Sequence, residues 1–165
     1  MPEAPDHALR PDQKRSGVER ARRSTMAILV EATAAELAEA AAAIGPLPGF
    51  RHLRRPETGL VMLRGRVGGA GAPFNIGEAT VARCLVVTEA GTEGAAYHLG
   101  RDLARAEKAA LFEALARETP WRDKVETALL APVRDRLARE RQAAAVETDA
   151  TRVEFFTLVR GEDER

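Results

Sequence analysis

The stretch TGLVMLRGRVGGAGAPFNIGEATVARCLVVTE, residues 58–89, decides the fold because its pattern is that of two β-strands joined by a glycine-rich turn. Apolar side chains recur along residues 58–67, which is typical of a strand. Residues 75–89 predict a second, longer strand. The connection EAGTEG (89–94) suits a hairpin leading into a third strand, AAYHLG (95–100). We therefore predict a small antiparallel β meander.

Toward its end the second strand is apolar on both faces. Alternation places Cys84 and Val86 on one side and Leu85 and Val87 on the other, with Arg83 as the charged exception. A small antiparallel sheet that packs helices on one side should leave its other face polar. We therefore expect the second face to be covered as well, either by further helices or by another subunit.

Helical patterns precede the meander. Residues 18–32 form an amphipathic pattern, and residues 33–45 follow as a second helix. Thr33 and Glu36 have the spacing of a capping box, and Gly45 supplies a stop signal. This segment predicts a helical hairpin.

Helical patterns also follow the meander. Residues 101–118 have apolar side chains near a 3.6-residue period, and Pro120 stands where a further helix would begin. Pro132 is expected to kink or end that helix. The final segment, 151–165, alternates like a strand and carries Phe155 and Phe156, which we expect to pair with a sheet edge or to lie on a partner.

Together these patterns predict an α+β fold. It consists of an N-terminal helical hairpin, a small antiparallel β meander, two C-terminal helices and an extended C-terminal segment. Residues 1–16 are polar and aperiodic and are predicted to be a disordered leader. Residues 17–165 are predicted to form a single domain.

Composition excludes several classes of function. The chain has 25 basic and 25 acidic residues among 165, so no global charge attracts nucleic acid or anionic lipid. Its single cysteine cannot form an intramolecular disulfide, and the sequence contains no long apolar run. We expect a cytoplasmic protein that contacts neither nucleic acid nor membrane.

The glycine-rich stretch is the strongest candidate site, although it matches neither the G-x-G-x-x-G nor the P-loop pattern. A simple turn is the favoured interpretation, and a close approach of the backbone to a ligand or partner is the alternative. We expect Glu78 to form an ion pair with Arg64, Arg66 or Arg83 rather than to act as a base. The candidate ligand or interface residues are Arg64, Arg66, Gly68, Gly69, Gly71, Asn75, Gly77, Glu78 and Arg83.

Other chemistry has little support in the sequence. The three histidines are scattered, so no metal site is predicted. Cys84 stands among apolar residues within a strand, where it is expected to pack as a small hydrophobic residue. No residue is assigned a catalytic role.

The run ETGLVMLRGRVGGAGAPFNIGEATVARC is followed by GTEGAAYHLGRD. These two motifs resemble those of the PhnG family of the bacterial carbon-phosphorus lyase system. MAILVEATAAELA, RDLARAEKAALFEAL and TRVEFFTLVRGE are similar to further segments of the family. Ile76 stands where leucine is usual, and Thr25 stands where an aromatic residue is common.

The resemblance implies a subunit of a complex with PhnH, PhnI and PhnJ, assisted transiently by PhnL. In the implied reaction an alkylphosphonate displaces adenine from ATP to give a ribose 1-alkylphosphonate 5-triphosphate. ATP and phosphonate would be substrates of the complex, and no cofactor would be bound by this subunit alone. The subunit would be inactive by itself and part of a hetero-oligomer. From the doubly apolar strand and the Phe155 and Phe156 tail we expect the isolated chain to self-associate.

Two alternatives stay open at this point. A stand-alone phosphate- or nucleotide-binding enzyme would use Arg64, Arg66 and the glycine backbone as an anion clamp. A nucleic-acid-binding module would depend on the N-terminal arginines, although the second helix offers mainly alanine and glutamate.

Overall fold

A computed structural model describes residues 17–68 and 71–151. The predicted leader, residues 1–16, lies outside the described residues, as do the candidate residues Gly69, Phe155 and Phe156. The elements, in order, are α1 (Gly17–Glu31), α2 (Ala34–Ile44), β1 (Phe50–Arg66), β2 (Pro73–Thr88), β3 (Glu93–Leu99), α3 (Leu103–Leu115), α4 (Thr119–Val125), a π-helical turn (Glu126–Leu130) and α5 (Ala131–Ala150). The predicted α+β class, with helices before and after a meander, is confirmed.

The three strands form one antiparallel sheet in the order β1-β2-β3. β1 and β2 pair from Phe50↔Thr88 at one end to Arg66↔Pro73 at the other. β3 is much shorter, and its pairing with β2 ends at Val81↔Leu99. The far half of the β1–β2 hairpin therefore extends past the three-stranded part of the sheet.

The helical hairpin is capped as the sequence predicts. The backbone N–H of Glu36 donates to Thr33 Oγ1 at 3.2 Å, and the Thr33 N–H donates to Glu36 Oε2 at 2.8 Å. This reciprocal pair satisfies two backbone donors at the start of α2. Gly45 ends the helix with a φ of 85°, in the region that favours glycine.

α3 packs against one face of the sheet and supplies much of the core. Phe112 and Leu115 on α3 are fully buried, as are Cys84 and Val86 on β2. Gly94 allows the close approach, because a Cβ there would collide with the carbonyl group of Ala110. The helix and sheet thus form two layers with the apolar core between them.

The C-terminal end of α1 is fastened to this layer by α3. Arg105 Nε donates to the Ala32 carbonyl oxygen, and an Arg105 terminal nitrogen donates to the Val30 carbonyl oxygen, each at 2.8 Å. His98 on β3 also bonds the Val30 carbonyl, at 3.2 Å through Nδ1. These bonds satisfy carbonyl groups that a helix end leaves without partners.

The opposite face of the sheet does not carry the second apolar layer that the sequence suggested. Val81 and Val87 are buried there, but Arg83 and Leu85 are half-buried and Tyr97 is exposed. Arg83 supplies a polar group in the middle of this face. Leu85 and Tyr97 keep exposed surface on this face, and its cover by another subunit stays a prediction.

The C-terminal helices depart from a regular helix before Pro132. α4 has a proline in its first turn, as predicted, and the π-helical turn directly precedes α5. Proline lacks an N–H and clashes with the preceding turn, and widening of the helix ahead of it relieves both problems. Pro132 therefore does not end the helical run, which continues to Ala150.

By internal contacts the described residues divide into two compact units, with the boundary between Val133 and Arg134. The described part of the second unit is helical and mostly exposed, and Arg136 donates to Glu140 Oε1 at 2.9 Å within it. A single domain spanning 17–165 stays a prediction. In the described part of the chain, none of the helices combines the length and apolar character that crossing a membrane requires.

Candidate functional site

The distal ribbon, which we define as residues 60–68 and 71–80, contains most of the predicted site. It is the part of the β1–β2 hairpin beyond the last pair with β3. Its β1 half, Leu60–Arg66, corresponds to about 20 Å of strand. Here β2 has a neighbour on one side only, so the ribbon is two strands wide.

Large apolar side chains are exposed on both faces of the distal ribbon. Met62 and Leu63 are consecutive strand residues and so point to opposite faces, yet they are 53% and 42% exposed. Ile76, which lies over Gly65, is 63% exposed. The exposed apolar residues of the ribbon are Leu60, Met62, Leu63, Val67, Phe74 and Ile76. An exposed apolar surface of this kind is typical of a binding interface.

The turn of the ribbon is held by its own polar groups. Arg66 donates to the Gly71 carbonyl oxygen at 3.0 Å, and the Gly71 N–H donates to the Val67 carbonyl oxygen at 3.0 Å. Gly68 has a φ of 60°, which favours glycine at that position. Arg66 and Gly68 therefore shape the turn itself. This structural role differs from the binding of a ligand or of a partner, the two roles considered for them from the sequence.

Arg64 and Asn75 lie opposite each other in the ribbon, and both are exposed. Alternation along β1 puts Arg64 and Arg66 on the same face. Gly77 and Glu78 are also exposed, and Glu78 lies opposite Met62. The ribbon can thus offer a guanidinium, an amide and a carboxylate beside apolar side chains.

The predicted ion pair of Glu78 with Arg64, Arg66 or Arg83 is wrong for the part of the chain that the structure describes. Arg83 lies opposite Glu57 in the sheet register and pairs with its Oε1 at 2.7 Å. Arg54 donates to the same oxygen at 2.7 Å. A carboxylate directly across the strand pair is closer to Arg83 than one five residues away on its own strand.

Arg83 is therefore separated from the other candidate residues. It belongs to a cluster with Glu57 and Arg54 at the base of the hairpin rather than to the distal ribbon. Hydrogen bonds donated by Arg54 and Arg83 lower the pKa of Glu57, and the bond that Arg54 donates to Glu57 raises the pKa of Arg54. The cluster stays charged near neutral pH. It lies in the middle of the sheet face opposite α3.

Cys84 packs as predicted. It is fully buried, and its Sγ lies 3.5 Å from the Arg54 carbonyl oxygen. Burial, and to a lesser extent the nearby Glu107 carboxylate, raise the pKa of the thiol to about 11. A neutral, inaccessible thiol is a poor nucleophile and metal ligand. Among the described residues, no group of three His, Cys, Asp or Glu side chains is placed to hold a metal ion.

A second polar cluster was not predicted from the sequence. Glu113 on α3 is fully buried, and its carboxylate accepts hydrogen bonds from Arg22 Nε at 2.9 Å and from a terminal nitrogen of Arg117 at 3.1 Å. The sequence signal was a glutamate inside the apolar stretch AALFEAL, residues 109–115. A charge at such a position requires a buried partner, but the pattern does not identify Arg22, which is 91 residues away.

Comparisons with known proteins agree with the sequence-based resemblance. The family described as "Phosphonate metabolism protein PhnG" matches residues 20–161 of this chain. The protein named alpha-D-ribose 1-methylphosphonate 5-triphosphate synthase subunit PhnG, from Rhizobium meliloti (strain 1021), is 51% identical over 142 residues, which cover 86% of this chain and 90% of that protein. The predicted family is thereby confirmed, and the chain belongs to the PhnG family of phosphonate metabolism proteins.

Proposed function

We propose that this chain is the PhnG subunit of an alpha-D-ribose 1-methylphosphonate 5-triphosphate synthase and works inside a complex. The name of the Rhizobium meliloti relative, together with 51% identity over most of both chains, supports this role. The proposed reaction is displacement of adenine from ATP by an alkylphosphonate in the cytoplasm. The proposed partners are PhnH, PhnI and PhnJ, with PhnL joining transiently, and this subunit binds no cofactor of its own.

The distal ribbon is the observation that carries the proposal. A two-stranded ribbon has marginal stability by itself in water. This one nevertheless exposes apolar side chains on both faces, including Met62 and Ile76. A partner that covers the ribbon would remove that apolar surface from water, at roughly 25 cal/mol per Å² buried. We therefore assign the ribbon to a subunit interface, and its exposed surface also supports self-association of the isolated chain.

The candidate residues support docking more than catalysis. The Arg66 guanidinium donates to the Gly71 carbonyl oxygen, and Arg83 forms an ion pair with Glu57, so neither guanidinium is left wholly to a substrate. The guanidinium of Arg64 forms no hydrogen bond within the described residues and is exposed, so it can meet an acidic group on a partner or an anionic substrate at the interface. We propose that the reacting groups are supplied mainly by the partner subunits.

Co-expression with PhnH, PhnI and PhnJ tests this role. We expect a tagged chain to copurify with the partners in fixed stoichiometry. The double variant Met62→Asp/Ile76→Asp should lose copurification while keeping its helical circular dichroism, because charges on the ribbon oppose burial. Leu103→Asp is the matched control, since Leu103 is exposed at the start of α3 and an acidic residue is favourable there.

Two results would overturn the proposal. One is a monomer that converts ATP and methylphosphonate unaided, which would instead support the stand-alone enzyme. The other is normal copurification of the double ribbon variant, which would place the interface elsewhere on the chain.

A further inference from the structure

A cavity of about 470 Å³ lies between α1, the end of α3 and the α4 region, on a part of the molecule separate from the distal ribbon. Its volume falls within the range of about 300–1,000 Å³ seen for small-molecule sites. The polar side chains that line it are Arg22, Thr25, Glu113, Arg117, Arg122 and Glu126. The three arginines and two glutamates give the lining a formal charge of 3 − 2 = +1.

Glu113 holds two of these arginines in place. It is fully buried, and it accepts a hydrogen bond from Arg22 Nε at 2.9 Å and from an Arg117 terminal nitrogen at 3.1 Å. Arg117 Nε also donates to the Glu113 carbonyl oxygen at 3.4 Å. Both guanidinium groups are therefore oriented by a carboxylate that cannot exchange its partners for water.

Each arginine keeps donors for a ligand. Within the described residues, the terminal nitrogens of Arg22 form no hydrogen bond, and one terminal nitrogen of Arg117 forms none. Arg122 is exposed, and its guanidinium forms no hydrogen bond or ion pair within the described residues, although its backbone N–H donates to the Glu118 carbonyl oxygen. Glu113 neutralises one unit of charge, so the pair Arg22 and Arg117 retains a net positive charge toward the cavity.

We propose that this cavity binds a tetrahedral oxyanion of the phosphate or phosphonate class, held by Arg22, Arg117 and Arg122. Three guanidinium groups on separate elements match the three outward oxygens of such a group better than the two oxygens of a planar carboxylate. The side chain of Thr25 adds a hydroxyl donor at the wall. The proposal rests on the lining of the cavity and is independent of the synthase role.

The test is isothermal titration calorimetry of the purified full chain with inorganic phosphate and with methylphosphonate at constant ionic strength. Acetate serves as the planar control anion. We expect both tetrahedral anions to bind and acetate to bind at least about tenfold more weakly. Tighter binding of methylphosphonate would identify an organic phosphonate as the occupant, and tighter binding of inorganic phosphate would identify phosphate itself.

Variants separate this site from general surface charge. Arg122→Ala should raise the Kd by about tenfold or more, since it removes charge-assisted hydrogen bonds without breaking a contact within the described residues. Arg20→Ala on α1 is the matched control, because Arg20 is exposed and does not line the cavity. Arg22→Lys is the second variant, since a lysine cannot bond Glu113 and the anion through one rigid fork.

Absence of binding by both tetrahedral anions at millimolar concentration would overturn the proposal. So would equal Kd values for Arg122→Ala, Arg22→Lys and Arg20→Ala. Copurification with the synthase subunits is unaffected by either result, so failure here is distinguishable from failure of the proposed function.

Discussion

Glu113 on α3 accepts a hydrogen bond from the backbone N–H of Ala95 on β3 at 3.2 Å. β3 is an edge strand, and this N–H would otherwise lack a partner at the boundary between helix and sheet. The same carboxylate binds Arg22 of α1 and Arg117, which follows α3. One side chain therefore joins α1, α3 and the sheet, and its removal affects all three contacts together.

Glu113→Ala should lower the free energy of unfolding by about 2–3 kcal/mol. The substitution leaves the N–H of the half-buried Ala95 without its acceptor and removes the buried partner of two arginines. The arginines themselves are 41% and 30% exposed and can turn to solvent, so the loss stays below that of a fully buried pair. Urea unfolding followed by circular dichroism measures the change.

Glu140→Ala is the matched control for that substitution. Glu140 pairs with Arg136 on the surface of α5, and exposed pairs of this kind contribute less than about 1 kcal/mol. Similar losses for the two variants would contradict the role assigned to Glu113.

Cys84 should resist modification in the folded protein. Its thiol is fully buried, and its pKa of about 11 keeps it neutral at pH 8. We expect Ellman's reagent to label native protein slowly, at the rate of unfolding or local opening, and to label one thiol per chain at once in guanidinium. Rapid stoichiometric labelling of the native chain would contradict the burial of this strand.

Local sequence patterns predicted the elements of the fold because they are governed by local rules. The capping box at Thr33 and Glu36 and the strand pattern around Cys84 need no knowledge of distant residues. The family motif likewise identified the segment that becomes the distal ribbon. Local patterns do not show that β3 is short. Because β3 ends opposite Val81, the ribbon has no third strand.

Long-range polar pairing was the part that sequence reasoning missed. Arg83 was expected beside Glu78, but the strand register brings Glu57 to it. Glu113 finds Arg22 across 91 residues of chain. Such partners depend on how helices and strands meet in space, and charge alone does not select one arginine among many.

His98 should make stability depend on pH. The ring is buried, with Nδ1 on the Val30 carbonyl oxygen and with Nε2 lacking a hydrogen-bond partner in the described part of the structure. Burial lowers the pKa of His98, and the nearby Arg105 lowers it further. The unfolded chain therefore binds a proton more readily, so stability is complete above the unfolded pKa of about 6.5 and decreases as the pH falls below it.

Melting temperatures of the wild type and of His98→Gln between pH 5 and pH 8 check this dependence. We expect the wild type to lose stability toward pH 5 more steeply than the variant, because glutamine does not titrate. Val30 keeps a hydrogen bond from Arg105 in the variant, which limits its loss at pH 8. Parallel curves for the two proteins would exclude His98 as the titrating group.

Arg64 distinguishes an interface from a ligand site in the distal ribbon. It is exposed, it lies opposite Asn75, and its neighbours on both strands include large apolar side chains. If it meets an acidic surface of a partner, Arg64→Glu should abolish copurification with the synthase subunits. Arg64→Lys should preserve copurification, since the charge suffices for that contact.

If Arg64 instead contacts phosphate, the two outcomes differ in activity. Arg64→Lys would then assemble normally but lose activity by about tenfold or more, because lysine lacks the bidentate fork. We expect the first pattern, measured by copurification and by turnover of ATP with methylphosphonate in the same preparation, with Arg20→Glu on α1 as the charge-matched control.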